Sequence, residues 1–385
     1  MLRRSLLLAS MLTAVVAGVR AGAVTQAFTW DLPPGFPQPL VPADNAMTPA
    51  RVTLGRYLFY DTRLSGNGTQ SCATCHEQSR AFTDPRPISI GSTGEPHPRT
   101  SMSLANIAYA PVLTWANPTM RALETQMEVP MFGEHPIELG LPADNTWLDR
   151  LRGDARYPAL FAAAYPDEAA PVTRPNVMRA IASFERTLIS GRSPYDRYHF
   201  DRDDSAVTPA VKRGEVLFHS QSLSCFTCHA GFNFSGAVQS VRQPTPVVEF
   251  HNTGLYNLPG ALSYPAENPG IFAVTGDAGD VGRFKAPTLR NIAVTAPCMH
   301  DGCAATLEDV LAHYAAGGRT IAEGPHAGIG HDNPNKSPTV RGFTLTAEER
   351  ADVIAFLRSL TDERFLTNPD FSNPFPPGTA PLPAR

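Results

Sequence analysis

The chain has 385 residues, 42% of them hydrophobic, with 37 prolines, 29 glycines and a formal net charge of −4. That apolar content is ordinary for a globular core, and a small negative charge without any basic run excludes a nucleic-acid partner. Beyond a short N-terminal run, no segment has the roughly 20 apolar residues that a membrane-spanning helix needs.

In chain order, the first element is a processing signal over residues 1–23. Arg3 and Arg4 give a positive start, residues 6–17 are apolar, and Ala21-Gly22-Ala23 offers the small residues that a signal peptidase reads. Export to the periplasm is the expectation. The remainder suits two domains of about 100–200 residues each, mainly α-helical, with prolines and glycines marking ordered loops. A helix over Val52-Thr53-Leu54-Gly55-Arg56-Tyr57-Leu58-Phe59 leads into Cys72-Ala73-Thr74-Cys75-His76. Segment 177–189 has helical apolar spacing and closes the first half. The polar stretch 195–204 marks the boundary, giving domains 24–198 and 199–385.

The second half repeats the first weakly. Val211-Lys212-Arg213-Gly214-Glu215-Val216-Leu217-Phe218 shares the Gly-x-x-Leu-Phe core and precedes Cys225-Phe226-Thr227-Cys228-His229. Residues 250–254 and 282–284 suit short β pairings. Segment 346–360 forms the closing helix, with Val353, Ile354, Phe356, Leu357 and Leu360 on one side and a Thr346-x-x-Glu349 capping box. The expected fold is therefore two tandem cytochrome c-like haem domains, with long loops and little β structure.

Six cysteines in an exported chain would ordinarily pair as disulfides. Here four stand in two C-x-x-C pairs, each followed at once by histidine. That pattern is read as covalent c-type haem attachment, with the thiols on the vinyl groups and the histidine on the iron. Zinc or redox-active C-x-x-C pairs are the alternative, and two copies with adjoining histidines leave it little room. His76 and His229 each take one axial position, so the other position decides the chemistry.

Further motifs bring a family into view. The segments Ala286-Pro287-Thr288-Leu289-Arg290-Asn291, Thr295-Ala296-Pro297, His300-Asp301-Gly302 and Leu307-Glu308-Asp309-Val310, with both haem motifs, resemble the bacterial di-haem cytochrome c peroxidase and MauG superfamily. Within it the chain is most similar to the MbnH type, through Gly91-Ser92-Thr93-Gly94-Glu95-Pro96-His97-Pro98-Arg99, Phe132-Gly133-Glu134-His135-Pro136 and His251-Asn252-Thr253-Gly254-Leu255-Tyr256-Asn257.

The resemblance implies site residues. It puts Tyr314 on the second iron, where the peroxidases have methionine. Residue reading alone would favour His313, and a helix lets only one of these two neighbours face the iron. Trp115 matches the family's inter-haem tryptophan; a core tryptophan beside a haem is the plainer alternative. Gln126, Pro130 and Glu138 match the pocket over the first haem, where a carboxylate can move the peroxide protons. Glu128 and Glu134 are nearby rivals, read as solvated. His97 does not match the family's loop histidine and is read as a structural or surface residue. A calcium ion between the haems would take the carbonyls of Thr295 and Pro297, with Thr100 where the family has asparagine. Cys298 and Cys303 form either a disulfide or two free thiols, and His300 and Asp301 support the second haem.

The implied function is a periplasmic di-haem oxidoreductase. It would use hydrogen peroxide to form a high-valent di-haem state, then oxidise a partner protein residue, a tryptophan, by long-range electron transfer. In the MbnH type that tryptophan lies in a small copper-binding protein and becomes kynurenine. One alternative is a cytochrome c peroxidase fed by a small redox protein. Another is a di-haem electron carrier without enzymatic activity, for which His97 is the obvious extra ligand.

Overall fold

A computed structural model describes residues 26–260 and 262–376. The processing signal over residues 1–23 lies outside the described residues. The fold is mainly helical, with two antiparallel two-stranded ladders among the described residues. No described helix is long and apolar enough to cross a membrane.

Four helices form two matching pairs. In the first half α1 (Pro49–Phe59) crosses α2 (Arg174–Glu185); in the second, α3 (Pro209–Phe218) crosses α5 (Ala347–Ser359), with α4 (Leu307–Ala315) alongside. Their starts are set by sequence: Thr48, Thr173, Thr208 and Thr346 each cap a helix by accepting a backbone N–H. Each such cap contributes about 1 kcal/mol. Thr48 and Thr208 are followed directly by proline, whose fixed φ suits the first helical turn. The capping box expected at Thr346 and Glu349 is present.

The shared Gly-x-x-Leu-Phe core has a packing reason. A Cβ on Gly55 would lie 1.9 Å from the Ala180 carbonyl oxygen, and one on Gly214 would lie 2.0 Å from that of Asp352. Only glycine lets the two backbones approach so closely. One turn further on, Phe59 meets Phe184 edge-on at 5.2 Å, and Phe218 meets Phe356 at 5.1 Å. Phe82 joins the first pair at 5.9 Å and Phe234 the second at 6.1 Å. The same three-ring nucleus therefore underlies both haem motifs.

Two main cores result. One gathers Leu54, Leu58, Phe161, Val177, Ile181 and Phe184 and also takes Phe365 and Leu366 from near the C-terminus. The other gathers Tyr195, Phe218, Phe234, Leu311, Val353 and Phe356. A third, smaller cluster around Leu255, Tyr256, Tyr264, Val281 and Phe284 packs against Trp115. It carries the expected β pairing: β1 (Phe250–His251) runs antiparallel to β2 (Phe284–Lys285), with His251 opposite Phe284.

Candidate functional site

Each haem motif is a short turn that presents both thiols and the histidine to a cavity. Cys72–Cys75 is one helical turn closed by a capping box between Ser71 and Thr74, and Cys225–Thr227 is a 3-10 turn. His76 Nδ1 lies 2.8 Å from the Phe82 carbonyl oxygen, and His229 Nδ1 lies 3.1 Å from that of Phe234. Both phenylalanines have positive φ, 61° and 46°. That conformation is costly for a bulky residue and persists only where its surroundings hold it. Here the buried three-ring nuclei hold it, and the carbonyl so aimed fixes the tautomer that leaves Nε2 free for a metal.

The electrostatics agree. Burial lowers His76 and takes His229 down to about 4, so both imidazoles stay neutral, the form that binds iron. Burial also pushes the Cys75 thiol up to about 11 and the Cys225 thiol up to about 12. Reactive C-x-x-C pairs have lowered thiols, so this environment does not favour a redox-active pair.

The first cavity, about 420 Å³, is lined by Cys72, Cys75 and His76 and also by Gln126, Pro130 and Glu138. Glu128 is instead engaged by Arg174 at the cavity's outside, and Glu134 is exposed. The structure departs from the sequence reading at His97, which lines this cavity with its Nε2 3.2 Å from Glu138 Oε1. The contact is a close approach rather than a hydrogen bond, and His97 Nε2 is buried without a hydrogen-bond partner. Residue reading missed the pair because the two residues lie 41 positions apart, separated by loops and short helices. Glu185 was also missed: it lines the same cavity, and burial raises its carboxyl to about 8.

The second cavity, about 190 Å³, is lined by Cys225, Cys228, His229 and Tyr314 within an apolar wall that includes Leu289, Leu311, Val353 and Leu357. On α4, Tyr314 turns toward this cavity while His313 turns away, its Nε2 3.0 Å from the Thr253 carbonyl oxygen. Tyr314 is partly buried, and burial raises its phenol well above its usual value.

Trp115 lines both cavities and the smaller space of about 100 Å³ between them. Its indole N–H donates to the Thr100 carbonyl at 2.9 Å. Thr100, Thr295 and Pro297 all line that smaller space, as does Lys285, another residue that sequence reading missed. Burial lowers Lys285 to about 8, and its ammonium donates to the Val112 carbonyl. Cys298, buried between the spaces, and Cys303, exposed, are both free thiols.

The residues present fit a haem in each cavity. The thiols and histidine are correctly grouped, and His251 Nε2 and His300 Nε2 are buried without a hydrogen-bond partner at the wall of the second cavity. Together with Lys285 they suit the carboxylate tails of such a group.

Comparison with known proteins points the same way. A family profile for di-haem cytochrome c peroxidase matches residues 49–205. The methylamine utilization protein MauG of Methylorubrum extorquens is 33% identical over 84% of this chain and 81% of its own. A cytochrome-c peroxidase of Denitromonas iodatirespirans is 31% identical over 93% of both chains. Among solved structures, a MauG-like protein associated with microbial copper homeostasis is 47% identical, with a TM-score of 0.88 over 90% of this chain and 99% of its own. The chain thus belongs to the di-haem cytochrome c peroxidase and MauG family of peroxide-dependent oxidoreductases, which carry two c-type haems.

Proposed function

We propose that this protein uses hydrogen peroxide to oxidise a residue of a partner protein at a distance, with unequal roles for its two haem sites. The observation that carries the reading is the asymmetry of the cavities: Glu138 shares the first with His76, whereas Tyr314 shares the second with His229. In this reading His76 would hold one haem, and His229 with Tyr314 the other. A haem bound at the first site would supply O–O cleavage and accept the oxidising equivalents.

The protein's own groups then have definite tasks. Glu138 takes one proton from peroxide and returns it to the oxygen that leaves as water. Gln126 orients peroxide and Pro130 shapes the wall. The phenolate of Tyr314 is a hard anionic donor, better matched to an electron-poor metal than a soft thioether. Trp115, in contact with both cavities, passes electrons between them. Thr100, Thr295 and Pro297 offer only uncharged oxygens, so a calcium ion held there would be bound weakly.

The likeness to a copper-homeostasis protein supports, as partner, a tryptophan of a small exported copper-binding protein, and with it a periplasmic setting. A second reading, reduction of peroxide with electrons from cytochrome c, draws on the likeness to cytochrome-c peroxidases. The test is stopped-flow absorbance of the di-ferric holoprotein mixed with peroxide. Glu138→Gln should slow the peroxide-dependent change by about 10²–10⁴-fold with both haems attached. An unaltered rate would remove Glu138 from the proton path. Fast, sustained oxidation of reduced cytochrome c would favour the second reading.

A further inference from the structure

A file of aromatic rings starts at Trp115 and follows the wall of the second cavity through His300 and Phe284 before it leaves for the surface. The Trp115 indole meets the His300 imidazole at 6.4 Å between ring centroids. His300 stacks on Phe284 at 3.6 Å and faces Tyr264 at 6.2 Å, nearly parallel. Tyr264 meets Tyr256 edge-on at 5.2 Å, and Tyr256 meets the His326 ring at 5.4 Å. His300, Tyr264 and Tyr256 are buried, whereas the His326 side chain is 41% exposed. The file therefore runs from the wall shared by the two haem sites to the protein surface.

The two tyrosines differ in one chemical respect. A phenol that loses an electron becomes a strong acid, so its oxidation is easy only where a proton acceptor is already in place. The Tyr264 hydroxyl is buried and has no hydrogen-bond partner. The Tyr256 hydroxyl donates to Asp301 Oδ2 at 2.7 Å. Asp301 is itself held in place: its Oδ1 accepts the Cys303 backbone N–H at 3.2 Å, and Arg319 stands 3.6 Å from its Oδ2. The Trp115 indole N–H faces only a carbonyl, a poor base, so tryptophan keeps its proton when it is oxidised.

We propose that Tyr256 and Asp301 form a proton-coupled outlet through which oxidising equivalents leave the haem pair for the surface beside His326 and Arg319. The proposal rests on the peroxide reading and on the role given to Trp115 above. One-electron-oxidised Trp115 takes an electron from Tyr256 across the rings of His300 and Tyr264. The Tyr256 proton moves at the same time to Asp301 Oδ2. Trp115 returns to its reduced form, Tyr256 becomes a neutral phenoxyl radical, and Asp301 becomes a carboxylic acid. An external one-electron donor then reduces the phenoxyl, which recovers its proton from Asp301. One hydrogen peroxide, reduced to two waters with two protons and two electrons, accounts for two such cycles.

The test is freeze-quench electron paramagnetic resonance of the holoprotein after one equivalent of hydrogen peroxide, with haem absorbance read in the same samples. Wild type should give a phenoxyl signal that narrows when tyrosine is ring-deuterated. Tyr256→Phe should lose it, and Tyr264→Phe, which keeps the ring, should retain it. Asp301→Asn should lose it with every ring in place, which covers the case in which Tyr256→Phe folds poorly. A phenoxyl signal that persists in both Tyr256→Phe and Asp301→Asn overturns the proposal. So does a wild-type sample whose haems respond to peroxide but yield no tyrosine signal; the peroxide reading then stands. Haems that fail to respond overturn both.

Discussion

Replacing Gly55 with alanine sets two effects of opposite sign against each other at the α1–α2 crossing. Alanine is the better helix former, by about 1 kcal/mol at an interior position. Its Cβ, however, would lie 1.9 Å from the Ala180 carbonyl oxygen and 2.5 Å from the carbonyl carbon, both backbone atoms that no rotamer change can move. Ordinary contact begins at 3.4 Å, so the helices must separate by about 1.5 Å, the difference between 3.4 and 1.9 Å. Overpacking of this kind costs about 1–3 kcal/mol. A gap of even 0.5–1 Å forfeits a quarter to a half of each dispersion contact across it, and Leu54, Leu58 and Ile181 make such contacts. The clash should win, with a net loss of up to about 2 kcal/mol. Urea denaturation of the holoprotein followed by far-ultraviolet circular dichroism measures it as a lowered midpoint at unchanged slope. Gly214→Ala, 2.0 Å from the Asp352 carbonyl oxygen, should behave alike in the second half. A midpoint at or above wild type in either variant would refute the reasoning, because helix preference would then have outweighed the close approach.

Two further outcomes are expected. Tyr314→Met should change the absorbance and magnetic spectra of the second haem and abolish a long-lived, near-infrared-absorbing state after peroxide, with both haems still attached. An unchanged second-haem spectrum would show that Tyr314 is not its ligand. Burial raises the Glu185 carboxyl from its usual 4.5 to about 8, so the folded state binds more protons than the unfolded one between those values. Stability should therefore fall as pH rises from about 4.5 to 8. Glu185→Gln should flatten that fall in a pH series of denaturation midpoints, and an unaltered slope would mean that Glu185 is ionised in the fold.

Much of the fold was legible because its determinants are local. The attachment motifs are contiguous, the capping box at Thr346 acts within one turn, and each copy of the Gly-x-x-Leu-Phe core lies on one helix. The matching nuclei Phe82–Phe59–Phe184 and Phe234–Phe218–Phe356 were not legible. Their members are spread over more than 100 positions, and only close packing of two helices reveals that they correspond. His97 illustrates the harder case. Its flanking prolines announce a loop, and nothing local says that the loop folds its imidazole against Glu138.

The two Cys-x-x-Cys-His motifs alone pointed to two covalently attached haems, because the thioether pattern needs only residues within one turn. What makes the two sites unequal was decided in three dimensions. Helix α4 had to be rotated so that Tyr314, not His313, met the second cavity, and the loop from 91 to 99 had to close over the first. Trp115 had to reach the wall shared by both. Those outcomes depend on how whole faces are buried against one another, a property that no short stretch of sequence possesses.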